Sequence, residues 1–259
     1  MRTGIGDRWH EVKEKIKALI PDFVLKARLD YLHAKRRRER EGEASKETFT
    51  RVYAEGLWGY SRDAADTYYS GTGSHAENIV STYVSAVEKY LKSYERKIDV
   101  VDLGCGDFAV GSKLRKFCGN YIACDVVEPL ILRNREKYKE LNVDFRVLDL
   151  TTDELPGGEL AFVKQVLQHL SNRQIAAVLA RLENRYQHLI VTEHLPASKA
   201  FIANLDKPVG ADIRLGIGKA GSGIVITEPP FNFKVKSEMV LCEMEESGGI
   251  IRTSVYELF

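Results

Sequence analysis

The chain has 259 residues, with 38 Lys and Arg against 37 Asp and Glu, and a formal net charge of +1 at pH 7. That length can bury the core of one α/β domain with a substantial extension. The balanced charge gives no overall basic field, so a nucleic-acid partner is not favoured. No apolar run approaches the ~18 residues of a membrane-spanning helix, and the N-terminus does not open like a signal peptide. We therefore expect a cytoplasmic protein without a membrane span.

The first 45 residues are strongly charged and carry apolar residues at helical spacing, which predicts an N-terminal helical extension over residues 1–45. Its basic run, Lys35 to Arg40, could meet phosphates, lipid or an acidic partner, although solvated helix faces of this composition are common. Pairing of these helices in a homodimer stays open. The four cysteines form no C-x-x-C pair, which indicates reduced thiols and no metal site.

The segment KIDVVDLGCGDFAVGSK begins at Lys97 and turns from a short apolar run into two glycines, Gly104 and Gly106, and then into a helical pattern. A strand, a glycine turn and a helix in this order are typical of a nucleotide site at the carboxyl end of a parallel strand. Two further predicted strands each end in an acid, Asp125 and Asp149. The first acid lies about 20 residues beyond the glycines, where a carboxylate can accept hydrogen bonds from ribose hydroxyls.

The motifs VDLGCGD, ACD, LDL and FVKQVLQHL, in this order between Val100 and Pro196, resemble the class I (Rossmann-like) S-adenosylmethionine-dependent methyltransferases. The competing class, a dinucleotide oxidoreductase, would have the motif G-x-G-x-x-G. Its third glycine would fall at position 109, where this chain has Ala109. The resemblance implies a doubly wound, mostly parallel α/β sheet with a C-terminal antiparallel hairpin, in a domain over residues 46–259. Many members place a third glycine where this chain has Phe108.

The resemblance also implies that S-adenosylmethionine is the cofactor. Asp149 is expected to reach the adenine amino group, Leu150 to pack on the adenine face, and Asp107 to meet the ammonium group. The residues expected to contact the cofactor are Asp102, Gly104, Gly106, Asp107, Asp125, Asp149, Leu150, Gln165 and Trp58.

Two long segments with little periodic pattern are predicted to cover the site, a first cap loop at 54–75 and a second cap loop at 197–232. The first contains the run SGTGS, whose amides and hydroxyls can surround a carboxylate or phosphate. The alternative interpretation of this first segment is a surface loop that binds no ligand. The predicted substrate-binding residues are Arg214, a candidate clamp for an acidic group of the acceptor, Phe231, which two prolines precede, and Tyr69. A surface salt bridge is the alternative role for Arg214.

The predicted strand from His188 to His194 is polar only at its carboxyl end, where open α/β sheets bind ligands. Glu193 and His194 are therefore the best acid/base candidates, and His169 falls near the reaction centre by resemblance. Since adjacent residues on a strand point to opposite faces, Glu193 and His194 need not line one pocket.

These patterns predict transfer of a methyl group from S-adenosylmethionine to an oxygen of a small molecule or a sugar. The alternatives are a protein or RNA methyltransferase guided by the basic N-terminal run, and a cofactor-binding scaffold without turnover. The identity of the acceptor, and the choice of oxygen or nitrogen, stay open.

Overall fold

The computed structural model describes residues 27, 31, 44–61 and 67–259. The predicted N-terminal extension therefore lies outside the described residues except for these isolated positions, and its boundary at residue 45 stays a prediction. Residues 62–66 of the first cap loop also lie outside them. Glu43–Phe259 form one compact unit, which contains every element described below.

The unit alternates strands and helices and ends in two long strands. The α-helices are α1 Ser45–Ala54, α2 Thr72–His75, α3 Glu77–Leu91, α4 Gly111–Leu114, α5 Glu128–Lys137 and α6 Asn172–Leu182. The strands are β1 Val100–Leu103, β2 Tyr121–Asp125, β3 Asp144–Val147, β4 Leu160–Lys164, β5 His188–Pro196, β6 Ser237–Glu246 and β7 Gly249–Glu257. Short 3₁₀ turns cover Arg115–Phe117, Lys139–Leu141 and Leu167–His169.

The strands form one seven-stranded sheet in the order β3-β2-β1-β4-β5-β7-β6. The pairs among β1 to β5 are parallel, whereas β7 pairs antiparallel with both β5 and β6. The predicted doubly wound α/β sheet with a C-terminal antiparallel hairpin is therefore confirmed. The strand order reverses between β1 and β4, and ligands of such sheets bind outside the carboxyl ends of the strands at this point.

Hydrophobic clusters cover both faces of the sheet, as expected for parallel strands buried on two sides. One cluster joins β1, β4 and β5 to the apolar face of α6, and the other joins the sheet to α3. The buried residues of α3, among them Tyr83 and Val87, make its inner face part of the core. At the start of α6, Ser171 and Gln174 form a capping box.

Some predicted boundaries were wrong by a few residues. The third strand ends at Val147, because Asp149 begins a turn in which its carboxylate accepts hydrogen bonds from Thr151 N (2.8 Å) and Oγ1 (2.6 Å). The helical pattern after the glycine turn becomes a helix only at Gly111. The second cap loop contains neither helix nor strand. Among the described residues, no helix has the length and apolar character needed to span a membrane.

Candidate functional site

A cavity of about 310 Å³ opens where β1, β2, β4 and β5 end. This volume lies at the lower end of the roughly 300–1,000 Å³ typical of ligand pockets. The wall includes every predicted cofactor residue. These are Asp102, Gly104, Gly106, Asp107, Asp125, Asp149, Leu150, Gln165 and Trp58. Their grouping follows from the parallel strands, whose carboxyl ends meet at one edge of the sheet.

The glycine turn is closely packed on both sides. Gly104 has φ of +81° and Gly106 has φ of +55°, the left-handed region that glycine adopts without steric cost. A Cβ atom at Gly104 would overlap Val166, and one at Gly106 would come within 2.5 Å of Ser70 Oγ. These two positions therefore require glycine if the chain after β4 and the first cap loop are to pack against the turn.

Phe108 occupies a glycine-like conformation, with φ of +62°, although its side chain is fully buried. A left-handed bulky residue stores strain of about 1–3 kcal/mol. Its ring meets Tyr121, Tyr138 and Phe145 edge-on at centroid distances of 5.5, 5.2 and 4.9 Å. Such aromatic pairs add about 0.5–1.5 kcal/mol each beyond area burial, which is enough to offset the strain. Phe108 thus keeps the backbone shape that a third glycine would allow.

Asp125 joins the end of β2 to the glycine turn. One carboxylate oxygen accepts a hydrogen bond from Gly106 N and the other from Val127 N, both at 3.0 Å. Burial raises the pKa of Asp125 to about 6, although these amide donors favour the ionised form. Deeper in the cavity, burial raises the pKa of Asp102 to about 7, and Tyr121 donates a hydrogen bond to it at 3.0 Å.

Asp107 fastens the first cap loop to the glycine turn. Its carboxylate accepts hydrogen bonds from Ser70 N (2.9 Å) and Ala109 N (3.0 Å) and lies 2.6 Å from His75 Nε2. Burial alone would raise the pKa of Asp107, but the contacts with His75 and the two amides hold it below its usual value. Since both oxygens already have partners, a contact of Asp107 with the cofactor ammonium stays a prediction.

Trp58 lies between α1 and the chain after β4. Its ring packs against Tyr53 at 5.1 Å and against His169 at 4.9 Å between centroids. Its indole N–H donates to Ala211 O in the second cap loop at 3.3 Å. Burial lowers the pKa of His169 to about 3, so the ring is neutral. His169 Nδ1 lies 3.2 Å from Gly210 O and Nε2 lies 3.3 Å from Gln168 Nε2, contacts that favour a structural role.

Glu193 and His194 point to opposite sides of β5. Glu193 does not line the cavity, and its two oxygens accept hydrogen bonds from Leu167 N (3.0 Å) and Gln168 N (3.1 Å). These bonds satisfy the first amides of a 3₁₀ turn, so we replace the predicted catalytic role of Glu193 by a structural one. His194 does line the cavity, and its Nε2 donates to Glu246 O at 2.9 Å.

Arg214 is 1% exposed and does not line the cavity. Its guanidinium donates to the carbonyls of Leu167 (3.3 Å), Gln168 (2.8 Å), Leu170 (2.7 Å) and Leu205 (3.1 Å). A group whose donors are engaged by backbone carbonyls is not available as a clamp for an acceptor. The predicted substrate contact is therefore replaced by a structural role, in which Arg214 holds the second cap loop against the turn after β4.

The other two predicted substrate residues also lie away from the cavity wall. Phe231 packs against the hydrophobic core, and Tyr69 stacks on His75 at 4.4 Å between centroids. Within the second cap loop, Asn204 donates its amide N–H to the carbonyls of Val225 and Pro229, both at 2.9 Å. Packing within the loop and against the core thus explains Phe231.

The sequence analysis missed several residues on the cavity wall, among them Tyr53, Lys164 and Glu246. Lys164 could have been found, because it is the one charged residue of the otherwise apolar strand LAFVK and stands at its carboxyl end. Glu246 lies at the end of β6 and reaches the cavity only through the antiparallel hairpin, which no local pattern reveals.

The sheet order, the glycine turn and the acids at the strand ends define a nucleotide-binding domain of the Rossmann-like class. Residues 100–187 match the family model described as a methyltransferase domain. The fold is also that of the N-methyltransferase NodS from Bradyrhizobium japonicum WM9, solved with S-adenosyl-L-homocysteine. Its TM-score is 0.52 at 14% identity, and the match covers 70% of this chain and 88% of that chain.

A second similar structure is the magnesium protoporphyrin IX methyltransferase from Synechocystis PCC 6803, with a TM-score of 0.47, 17% identity, and coverage of 70% of this chain and 84% of that chain. No curated protein matches the chain. The match to the family model indicates a methyltransferase domain in residues 100–187, and S-adenosylmethionine is the cofactor that such a domain would bind. The cavity fits this group, because it combines a closely approachable glycine turn with a carboxylate at the end of β2.

Proposed function

We propose that this enzyme methylates an oxygen of a small molecule or a sugar. The observation that carries the proposal is the position of His194, at the carboxyl end of β5 and on the cavity wall. Its Nδ1 has no hydrogen-bond partner among the described residues, so this nitrogen is left for an acceptor.

The hydrogen bond to Glu246 suits His194 to act as a base. A carbonyl oxygen only accepts, so the bond from Nε2 places the proton there and leaves the lone pair of neutral histidine on Nδ1. Glu246 Oε2 lies 3.6 Å from Nε2 and would stabilise the imidazolium that forms when Nδ1 takes the proton of an acceptor hydroxyl. Bound S-adenosylmethionine supplies a methyl group on a sulfonium, a good leaving group, so alignment of the acceptor matters more than the base.

We assign the cofactor contacts to the strand ends that meet at the switch point. Asp125 would accept hydrogen bonds from the ribose hydroxyls, Asp149 would meet the adenine amino group, and Leu150 would pack on the adenine face. Gly104 and Gly106 would let the backbone approach the cofactor closely. The support is that all five residues lie on one cavity wall.

The protein or RNA methyltransferase remains the second candidate, and the cofactor-binding scaffold the third. Trp58 and Ala211 join the two cap loops beside the cavity, and this closure favours a small acceptor. The basic run that would guide a polymer lies outside the described residues. A homodimer stays a prediction.

Calorimetric titration with S-adenosylhomocysteine, with nicotinamide dinucleotides as controls, tests the cofactor site. Transfer of labelled methyl from S-adenosylmethionine to panels of sugars, phenols, peptides and RNA then identifies the acceptor class. His194→Ala should bind S-adenosylhomocysteine as the unmodified enzyme does and turn over roughly 10²–10⁴-fold more slowly, the range of general base catalysis. The matched control is His188→Gln, at the opposite end of β5. Unchanged turnover in His194→Ala would show that His194 is not the base.

A further inference from the structure

The charges on the cavity wall are very unequal. Among the described residues that line it, one ammonium group, that of Lys164, faces five carboxylates, those of Asp102, Asp107, Asp125, Asp149 and Glu246. S-adenosylmethionine carries a sulfonium, an ammonium and a single carboxylate. The acidic wall suits the two cationic groups of this ligand, whereas its carboxylate needs a cation nearby.

Lys164 makes hydrogen bonds only to neutral groups. Its Nζ donates to Gly73 O at 2.8 Å, to Gln165 Oε1 at 3.0 Å and to Ser74 Oγ at 3.5 Å. The third distance is long, which leaves one N–H poorly satisfied. Within the described part of the chain, Lys164 forms no ion pair, so its charge at the cavity wall lacks a direct counter-charge.

The surroundings of Lys164 hold the ammonium in place without neutralising it. Tyr83 from α3 presents its ring to Nζ, with 5.5 Å to the centroid. Burial lowers the pKa of Lys164 to about 8, while Asp102, Asp107 and Glu193 act in the opposite direction from a greater distance. Burial of a charge is costly unless a partner compensates it, and an anionic ligand would provide that partner.

Lys164 also fixes the position of the SGTGS segment of the first cap loop. Gly71 and Gly73 line the cavity beside it, and a Cβ atom at Gly73 would overlap the amide group of Gln165. Gln165 itself has φ of +55°, so the chain turns sharply where β4 ends. The glycine at position 73 thus allows the loop carbonyl, Gln165 and the ammonium to meet at one place.

We propose that Lys164, held beside Gly73 and Gln165, is the binding site for a carboxylate that enters the cavity. This inference rests on the proposed cofactor site. The cofactor's aminoacyl carboxylate is the first source, since Lys164 ends β4 next to the switch point. A carboxylate on the acceptor is the second source, with the same chemistry.

Two ligands that differ only in the carboxylate test the first source. The unmodified enzyme should bind S-adenosylhomocysteine roughly 10- to 100-fold more tightly than its decarboxylated analogue, the range of one charge-assisted hydrogen bond. Lys164→Met should abolish that difference, and Lys164→Arg should retain part of it. Lys89→Met, on the exposed side of α3, is the control and should keep the full difference.

The second source has its own measurement. If the acceptor provides the carboxylate, both cofactor analogues bind the unmodified enzyme equally, and glucuronate binds its S-adenosylhomocysteine complex but not that of Lys164→Met. The proposal is overturned if the unmodified enzyme does not discriminate between the analogues and Lys164→Met binds glucuronate as the unmodified enzyme does. Failure of the unmodified enzyme to bind S-adenosylhomocysteine at all would instead contradict the cofactor site. If Lys164→Met does not fold, Lys164→Gln takes its place in both measurements.

Discussion

Glu193 and Arg214 hold the same two residues from opposite sides. The carboxylate accepts hydrogen bonds from the backbone N–H groups of Leu167 and Gln168, and the guanidinium donates to their carbonyls. Both side chains are buried, at 3% and 1% exposure. The turn between β4 and α6, which carries Gln168 and His169 to the cavity wall, is therefore fixed by two buried side chains that do not line the cavity.

Loss of Arg214 should destabilise the fold. Arg214→Ala removes the donor from the buried carbonyls of Gln168 and Leu170 and from the part-buried carbonyl of Leu205, and each buried carbonyl without a partner costs roughly 1–3 kcal/mol. We expect a loss of about 3 kcal/mol or more in the free energy of unfolding, measured by urea denaturation. Arg173→Ala, at an exposed position of α6, should change it by less than about 0.5 kcal/mol. Equal stabilities of the two variants would contradict the structural role.

Replacement of Asp125 should weaken cofactor binding. Asp125→Asn removes the charge that would accept the ribose hydrogen bonds, and we expect roughly 10-fold or greater loss of affinity for S-adenosylhomocysteine by calorimetry. Asp144→Asn, an exposed acid at the start of β3, serves as the control. An affinity unchanged by Asp125→Asn would remove the assignment of the ribose site.

Cofactor affinity should also depend on pH through Asp125. Burial raises its pKa to about 6, so the carboxylate that would accept the ribose hydrogen bonds is ionised above this pH and protonated below it. Affinity for S-adenosylhomocysteine should therefore fall as the pH is lowered from 7 to 5. The titration of Asp125→Asn over the same range should be flatter, and parallel pH profiles would show that another group is responsible.

An alanine at Gly104 should damage both stability and binding. The residue has φ of +81°, which disfavours a side chain, and its Cβ would overlap Val166. We expect Gly104→Ala to lower the unfolding free energy by more than about 1 kcal/mol and to weaken S-adenosylhomocysteine binding. Adding Val166→Ala should recover the part of the lost unfolding free energy that comes from the overlap. The part that comes from the backbone conformation should remain.

The control for this variant is Gly157→Ala, because a Cβ atom there meets nothing within 4 Å. It should leave both the unfolding free energy and the titration nearly unchanged. If Gly157→Ala and Gly104→Ala have the same effect, the close packing of the glycine turn determines neither the unfolding free energy nor S-adenosylhomocysteine binding.

The sheet and the grouping of the strand-end residues on one cavity wall could be predicted because their signals are local. Apolar runs that end in Gly104, Asp125 and Gln165 mark the carboxyl ends of parallel strands, and parallel strands bring these ends together wherever the connecting helices lie. The boundaries were less predictable: Asp149 follows an apolar run but forms a turn with Thr151.

The acceptor side was less predictable because it depends on contacts between distant segments. Arg214 has the same sequence signature whether it binds an anion or backbone carbonyls, and only the fold brings it to the turn after β4. Adjacent positions on β5 separate Glu193 from His194, as strand geometry predicts, but which of the two faces the cavity is decided by the layers that cover each side. Phe231 was predicted to bind substrate, but the fold packs its side chain on the core, and no local pattern distinguishes these two roles.

The two covers of the cavity are attached very differently. Arg214 attaches the second cap loop to the turn after β4 through the carbonyls of Leu167, Gln168 and Leu170, whereas Trp58 meets the loop through one indole N–H at 3.3 Å from Ala211 O. Separation of Trp58 from the loop breaks few polar contacts, and separation of the loop from the core breaks many. We therefore expect the demethylated cofactor to leave the cavity between Trp58 and the second cap loop.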